Sequence, residues 1–410
     1  MTITPEQVPA RLRALAAAAP LLAALEGAEE VRVVGGAVRD LLLGGAPLDL
    51  DLVTDGDVET VAARIAAALG EEAEVAGHER FGTVVVRGGG HAYDVVRARA
   101  ESYSAPGALP DVRPGSFAED LARRDFTVNA IATTLDGRLD AVPHALDDLA
   151  AGRMRVLHER SFADDPTRLL RLVRYATRLR FATEPRTAEL ARAAIDGGAL
   201  ATISGARIGA ELRRTLREPS AGEALAEIAS WGGGDALVPG LRFDAALAAR
   251  GRALLAPDGR LDLLLLAVAV LRVGRPLAGW LAALDFPARD RDVVSAAAGE
   301  ASHLGERLAA LGGAPASAIV ATLRGASPEL AALAGALGGE QAAAAVRRWR
   351  TELRAVRLEI DGADLRAAGV PQGAALGRGL AAALRAKLDG EAVGREAELA
   401  VALTAAQRLS

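Results

Sequence analysis

The sequence predicts a mixed α/β front followed by an all-α remainder, on three observations. β-branched residues gather in the first third, Ala and Leu dominate thereafter, and from Phe162 onward only helical patterns recur between glycine and proline breaks. At 410 residues the chain has room for two to four cores, and its 51% hydrophobic content can fill them.

Residues 5–26 read as one or two Ala/Leu helices. A strand through Val31, Val33 and Val34 then ends in Gly35-Gly36, and a short helix runs from Ala37 to Leu43. Small residues between a strand and a helix let a phosphate approach backbone N–H groups, and Arg39 one turn later could join them. The plain alternative is a tight turn with a surface arginine. From Leu48 to Val53 the residues alternate, so Asp49 and Asp51 share a face while Leu48, Leu50 and Leu52 enter the core. Two carboxylates on one face repel unless a cation lies between them, and hard oxygen ligands on a strand suit Mg²⁺; the plain alternative is a solvent-facing strand edge with two unpaired acids.

Asp57 to Leu69 has helical periodicity, with acidic residues in its first turn. Thr83–Arg87 and His91–Val96 form a hairpin through Gly88-Gly89-Gly90, which puts Asp94 on a strand. Should that strand neighbour Asp49 and Asp51, three carboxylates converge. Residues 97–115 carry three prolines and no period, which predicts a mobile loop. Ser116 to Leu121 is helical, a hairpin turns at Asp136-Gly137, and Arg153 to Leu157 closes the mixed front.

Two polar constellations stand out downstream. Arg124 and Asp125, with Asn129 one helical turn on, sit among apolar Phe126, Val128 and Ile131. A guanidinium suits a phosphate or base edge, and carboxylate and amide suit ribose hydroxyls; otherwise the pair merely braces a helix. In FADDPTRLLRLVRYATRLRF, Asp164 or Asp165 caps a helix opening at Pro166. Arg168, Arg171, Arg174 and Arg178 form one basic stripe, opposite Leu169, Leu172, Val173 and Ala176. Such a stripe is usually a solvated face, but Asp165 with Arg168 offers an acceptor and a donor fork that can read a nucleobase edge.

Composition excludes several chemistries. Without cysteine there are no disulfides, no thiolate catalysis and no cysteine-held zinc, which suits a cytoplasmic protein. The five histidines show no ligand spacing, which argues against a histidine-based phosphohydrolase. Leu261 to Leu271 is too short to span a bilayer, and the amino terminus lacks the order of a signal peptide, so no membrane partner is expected. Net charge is −5, yet residues 151–220 hold fourteen Arg against eight Asp and Glu, a local +6 that marks a footprint for an anionic partner. No fixed period recurs in the helical part, so it is not a repeat array.

Taken in order, GGAVRDLLLG with DLD, YDVV, RRDFTVNAIA and DDPTRLLRLVRY closely resemble the class II tRNA nucleotidyltransferases. These are the CCA-adding enzymes, which share a superfamily with bacterial poly(A) polymerases. The resemblance is strong over residues 31–181 and weaker over Leu358 to Leu399. It implies an α/β nucleotidyltransferase head with a mixed sheet (1–150), a helical neck with a nucleotide-reading helix (151–220), a helical body (221–330) and a tRNA-binding tail (331–410). Asp49 and Asp51 would be the Mg²⁺ ligands, with Asp94 the third catalytic carboxylate. Gly36 and Arg39 would bind nucleotide beside the turn shaped by Gly35; Arg124, Asp125 and Asn129 would meet triphosphate and ribose. Asp165 and Arg168 would pair with the incoming base, with Arg171 and Arg174 nearby.

The activity so implied is addition of CCA, or part of it, to tRNA 3′ ends from CTP and ATP, releasing pyrophosphate. Loop 97–115 would be the element that repositions between C and A addition. An A-adding or CC-adding enzyme, a poly(A) polymerase, or a non-catalytic RNA-binding protein are the alternatives. A pI near 5.7 and the lack of a basic tail weigh against poly(A) polymerase, which needs non-specific grip on RNA. The three aspartates weigh against a non-catalytic protein. Asp164 stands where relatives carry Glu, and Pro166-Thr167 replaces a more familiar Ala-Leu, so the choice of nucleotides stays open, as does the oligomeric state.

Overall fold

The computed structural model describes residues 3–47, 49–78 and 82–407. Leu48, which the alternating pattern assigns to the core, lies outside the described residues. The chain forms two compact units: Met1–Ser220 with Trp231–Leu237, and Ala221–Ser230 with Val238–Ser410.

The first unit is built on strands β1 (Val31–Val34), β2 (Leu50–Thr54), β3 (Glu74–His78), β4 (Thr83–Gly88), β5 (His91–Arg97), β6 (Arg99–Ser102) and β7 (Asp111–Pro114). Four more come later in the chain: β8 (Ile131–Thr133), β9 (Leu139–Ala141), β10 (Arg153–Met154) and β11 (Ala182–Thr183). Seven of them make one sheet in the order β3-β4-β5-β2-β1-β8-β9. Only the β2–β5 pairing in it is parallel.

Around the sheet lie α1 (Val8–Ala14), α2 (Ala18–Ala24), α3 (Gly36–Leu42), α4 (Val58–Leu69), α5 (Phe117–Ala122) and α6 (Ala145–Ala151). Next in the chain are α7 (Ser161–Asp164), α8 (Thr167–Leu179), α9 (Pro185–Asp196) and α10 (Gly205–Leu216).

Local chemistry accounts for these boundaries. Asp57 caps α4 by accepting from Thr60 N at 2.8 Å, and Ser116 with Glu119 forms a capping box on α5. In β2, Leu50 and Leu52 are buried while Asp51 is open, as a two-residue period requires. The buried Tyr93 ties β5 to the amino-terminal helices through its hydroxyl, which donates to Ala17 O at 2.9 Å.

The structure corrects the sequence reading in five places. β2 begins at Leu50, so Asp49 sits just before the strand. Residues 97–115 contain the antiparallel ribbon β6–β7, with Pro114 opposite Arg99 at a strand end, where a missing N–H is tolerated. β3 was not foreseen, because Glu74 to Gly77 are exposed on both faces and show no apolar alternation. Beyond Phe162 there is one short strand, β11, which pairs in parallel with β10. Asn129 lies in a 3₁₀ turn, Thr127–Asn129, rather than one α-helical turn after Asp125.

The second unit is helical throughout its described residues. The apolar run forms a helix, Leu261–Ala269, in which Leu263 to Ala269 are all buried. The helices Ala288–Ala309 and Pro328–Leu337 approach so closely that a Cβ on Gly305 would lie 2.6 Å from Ala334 O. A carboxy-terminal cluster joins Ile360, Leu365, Val370, Ala383 and Ala402. Among the described residues no helix is long and apolar enough to cross a membrane.

Candidate active site

The turn between β1 and α3 needs its first glycine. Gly35 has φ +70°, and a Cβ there would stand 2.8 Å from Arg124 Nη1, so only glycine lets that arginine lie over the turn. The parallel register of β2 and β5 sets Asp51 directly opposite Asp94. Asp51 opens to a cleft, yet enough protein surrounds it that burial pushes its pKa up. Asp94 pushes in the same direction, Arg124 partly offsets both, and Asp49 adds a further push.

A cluster of like charges of this kind is relieved by a cation, and an all-oxygen donor set matches a hard divalent ion. Among the described residues no three acidic or histidine side chains already form a closed ligand cage.

The cleft has a volume of about 410 Å³ and lies wholly in the first unit. Of the residues singled out in the sequence, it is lined by Gly35, Gly36, Asp51, Arg124, Asp125, Asn129, Asp165, Arg168 and Arg171. On one wall the buried Asp120 accepts from Arg123 Nη2 at 2.6 Å and from Arg124 Nη2 at 2.9 Å. Arg124 Nε is buried with no hydrogen-bond partner, a cationic donor left over beside Asp51.

On another wall Asp125 Oδ2 accepts from Arg171 Nε and Nη2 at 2.9 and 2.7 Å, while Oδ1 accepts from Phe126 N and Asn129 Nδ2. Burial pushes the Asp125 pKa up, but Arg171 and Asn129 outweigh it and hold the carboxyl below its ordinary value. Arg171 is correspondingly raised: burial lowers it, and Asp125 more than compensates.

Four predicted residues do not line the cleft. Arg39 is 2% exposed; it donates to Asn129 Oδ1 at 2.5 Å and pairs with Asp40, so it braces the Asn129 amide from behind. Asp49 and Asp94 flank Asp51 without lining the cleft. Arg174 is buried against Glu211 and Glu218.

The basic stripe of α8 is therefore not a solvated face. Arg171, Arg174 and Arg178 are engaged by Asp125, Glu211, Glu218 and Asp40, and Arg168 donates to Ser161 Oγ and Arg123 O. Three arginines share one aromatic platform: Arg39, Arg171 and Arg174 lie 5.3, 5.4 and 4.5 Å from the Tyr175 ring centre. A short helix, α7, precedes α8, leaving Asp165 in an extended stretch between them.

Sequence reasoning missed the ribbon's contribution. Arg99, Glu101, Tyr103 and Pro110 line the cleft, with Arg123 and Tyr175. Glu101 accepts from Arg99, Arg123 and Tyr103, and burial followed by Glu101 pushes the Tyr103 phenol up to about 12. The alternation Arg99-Ala100-Glu101-Ser102 carried a two-residue period, and Tyr175 stands four positions after Arg171; both were available signals.

A sheet that sets one carboxylate beside another, next to a glycine turn roofed by an arginine, defines a nucleotidyltransferase head. Residues 31–155 match the poly A polymerase head domain. Over 193 residues the chain is 45% identical to the A-adding tRNA nucleotidyltransferase of Halalkalibacterium halodurans, covering 45% of each chain. Over 220 residues it is 41% identical to the CC-adding tRNA nucleotidyltransferase of Deinococcus radiodurans, covering 52% of this chain and 56% of that one. The matched segment thus spans about half the length of these curated relatives.

Across the fold, the Thermotoga maritima CCA-adding enzyme complexed with tRNA is similar at a TM-score of 0.74 and 27% identity, over 91% of this chain and 90% of that one. CCA-adding enzymes solved with ATP and with CTP reach TM-scores of 0.77 and 0.76 at 26% and 27% identity, each over 92% of this chain and 91% of theirs. Residues 31–155 thus carry a head domain of the poly A polymerase family, and the fold as a whole is similar to that of CCA-adding enzymes. Nucleotidyltransferases of this family generally use a divalent metal.

Proposed function

We propose that this protein adds CCA, or part of it, to the 3′ end of tRNA from CTP and ATP, with Mg²⁺, in the cytoplasm. The observation that carries this is the cleft itself: it puts Asp51, Arg124 and the Asp165/Arg168 pair, far apart in sequence, around one space. Arg124 receives the triphosphate over the Gly35-Gly36 turn. Asp125, held by Arg171, and Asn129, held by Arg39, receive the ribose. Asp165 and Arg168 meet the base.

The tRNA 3′-oxygen attacks the α-phosphorus, the bond from that phosphorus to the bridging oxygen breaks, and pyrophosphate leaves. Asp94, opposite Asp51, would be the third carboxylate of the site, and the hydroxyl proton leaves to solvent. Asp49 and Asp51 would hold the Mg²⁺, which when bound stabilises charge on the phosphate oxygens. Residues 151–220 would serve as the neck that selects the nucleotide, 221–330 as the body and 331–410 as the tail that holds tRNA; likeness in fold to the tRNA-bound Thermotoga enzyme over 91% of the chain supports tRNA as the partner.

An enzyme restricted to A or to CC is the second reading, favoured by the 45% and 41% identical relatives with those activities. Label placement tests the reaction class. With CTP or ATP labelled at the α-phosphate, label enters tRNA and one pyrophosphate is released per nucleotide added, only when tRNA is present. Nucleotide hydrolysis without labelled RNA would overturn the proposal.

A further inference from the structure

Arg207 lies on α10, outside every motif in the sequence, yet it reaches the base-reading carboxylate. Asp165 Oδ1 accepts from Thr167 N at 3.0 Å, from Thr167 Oγ1 at 2.6 Å and from Arg207 Nη2 at 2.7 Å. No hydrogen bond from a described residue reaches Oδ2. One oxygen is saturated and fixed in place; the other is left to accept from a ligand.

The same guanidinium has a second anchor that does not depend on Asp165. Arg207 Nη1 donates to Gly107 O at 2.8 Å, at the tip between β6 and β7. That tip is itself pinned: Gly107 N donates to Ala163 O at 3.0 Å, its φ is +72°, and a Cβ there would collide with Thr202 Oγ1 and lie 2.8 Å from Thr202 O. A planar fork with two fixed directions can hold a carboxylate at a set angle, whereas an ammonium cannot serve both partners with the same geometry.

We propose that Arg207 is a positioning residue for nucleotide selection, fixing Asp165 so that Oδ2 alone faces the incoming base. The inference rests on the assignment of Asp165 and Arg168 to base reading.

The test uses the full chain as wild type, Arg207→Met, Arg207→Lys and Asp165→Ala, measuring kcat and KM for CTP and for ATP on tRNAs with defined ends. Discrimination between correct and incorrect nucleotide is expected to fall about tenfold in Arg207→Met, and less in Arg207→Lys, as expected for a charge-assisted bond that orients rather than supplies the acceptor. Arg207→Lys, which keeps charge and stem, also provides the answer if Arg207→Met does not fold. Equal loss of rate with both nucleotides, or wild-type discrimination in both Arg207 variants while Asp165→Ala loses it, would overturn the role of Arg207. Retained discrimination in Asp165→Ala would show instead that the base-reading assignment has failed, and the role of Arg207 with it.

Discussion

Asp51→Asn is expected to lower nucleotide incorporation by about 10³-fold or more, the scale on which removing one preorganised charge partner of a transition state acts. The fold should not suffer. In the native protein the Asp51 carboxylate is disfavoured by burial and by Asp94 and Asp49, with Arg124 only a partial offset, so an amide of the same shape removes repulsion. Without divalent cation the variant should melt at or above the wild-type temperature. Adding Mg²⁺ should raise the melting temperature of wild type, because a ligand that binds only the folded state stabilises it, and should leave Asp51→Asn little changed. Incorporation near the wild-type rate, or an equal cation-induced shift in both proteins, would remove Asp51 from the metal site.

Asp125→Ala should cost stability as well as activity. Its carboxylate is the shared partner of Arg171, Asn129 and the Phe126 amide, and with it gone the largely covered Arg171 keeps Glu211 as its one acidic partner among the described residues, beside the Tyr175 ring and hydroxyl. Breaking one side of a buried pair costs about 3–5 kcal/mol, which corresponds to a fall of roughly 10 °C in melting temperature for a unit of this size. The direction of the shift sets the pH dependence. Because the folded pKa of Asp125 lies below its ordinary 3.8, its stabilisation is fully present above that value and is lost as pH falls through the depressed folded value. The gap between wild type and variant should therefore be constant near neutral pH and close only in acid. A gap that closes well above pH 4, or a variant as stable as wild type at neutral pH, would contradict the pairing.

The range of the interactions decides how much the sequence disclosed and how much it hid. Asp51 and Asp94 were legible because each sits in a strand whose alternation is local, and the parallel β2–β5 pairing then brought them face to face. The helix of Arg168 to Arg178 was legible as a helix, but the acidic partners of its arginines were not. Their partners Asp125, Glu211, Glu218 and Asp40 lie on other elements, and pairing across that distance leaves no periodic trace. Arg39 was misplaced for a related reason: nothing in its own turn of helix shows that Asn129 lies behind it. The ribbon β6–β7 was hidden by its prolines, and with it the contributions of Glu101 and Tyr103 to the cleft.

The most direct measurement is the size of the product. Purified protein is given tRNA ending at the discriminator base, at C or at CC, with CTP, ATP or both, and the RNA is resolved at single-nucleotide length. Extension that stops after completing CCA, or after completing only its CC or only its A part, is the predicted result. Failure to extend any of these tRNAs, or long untemplated A tails on RNA of any sequence, would contradict the assignment.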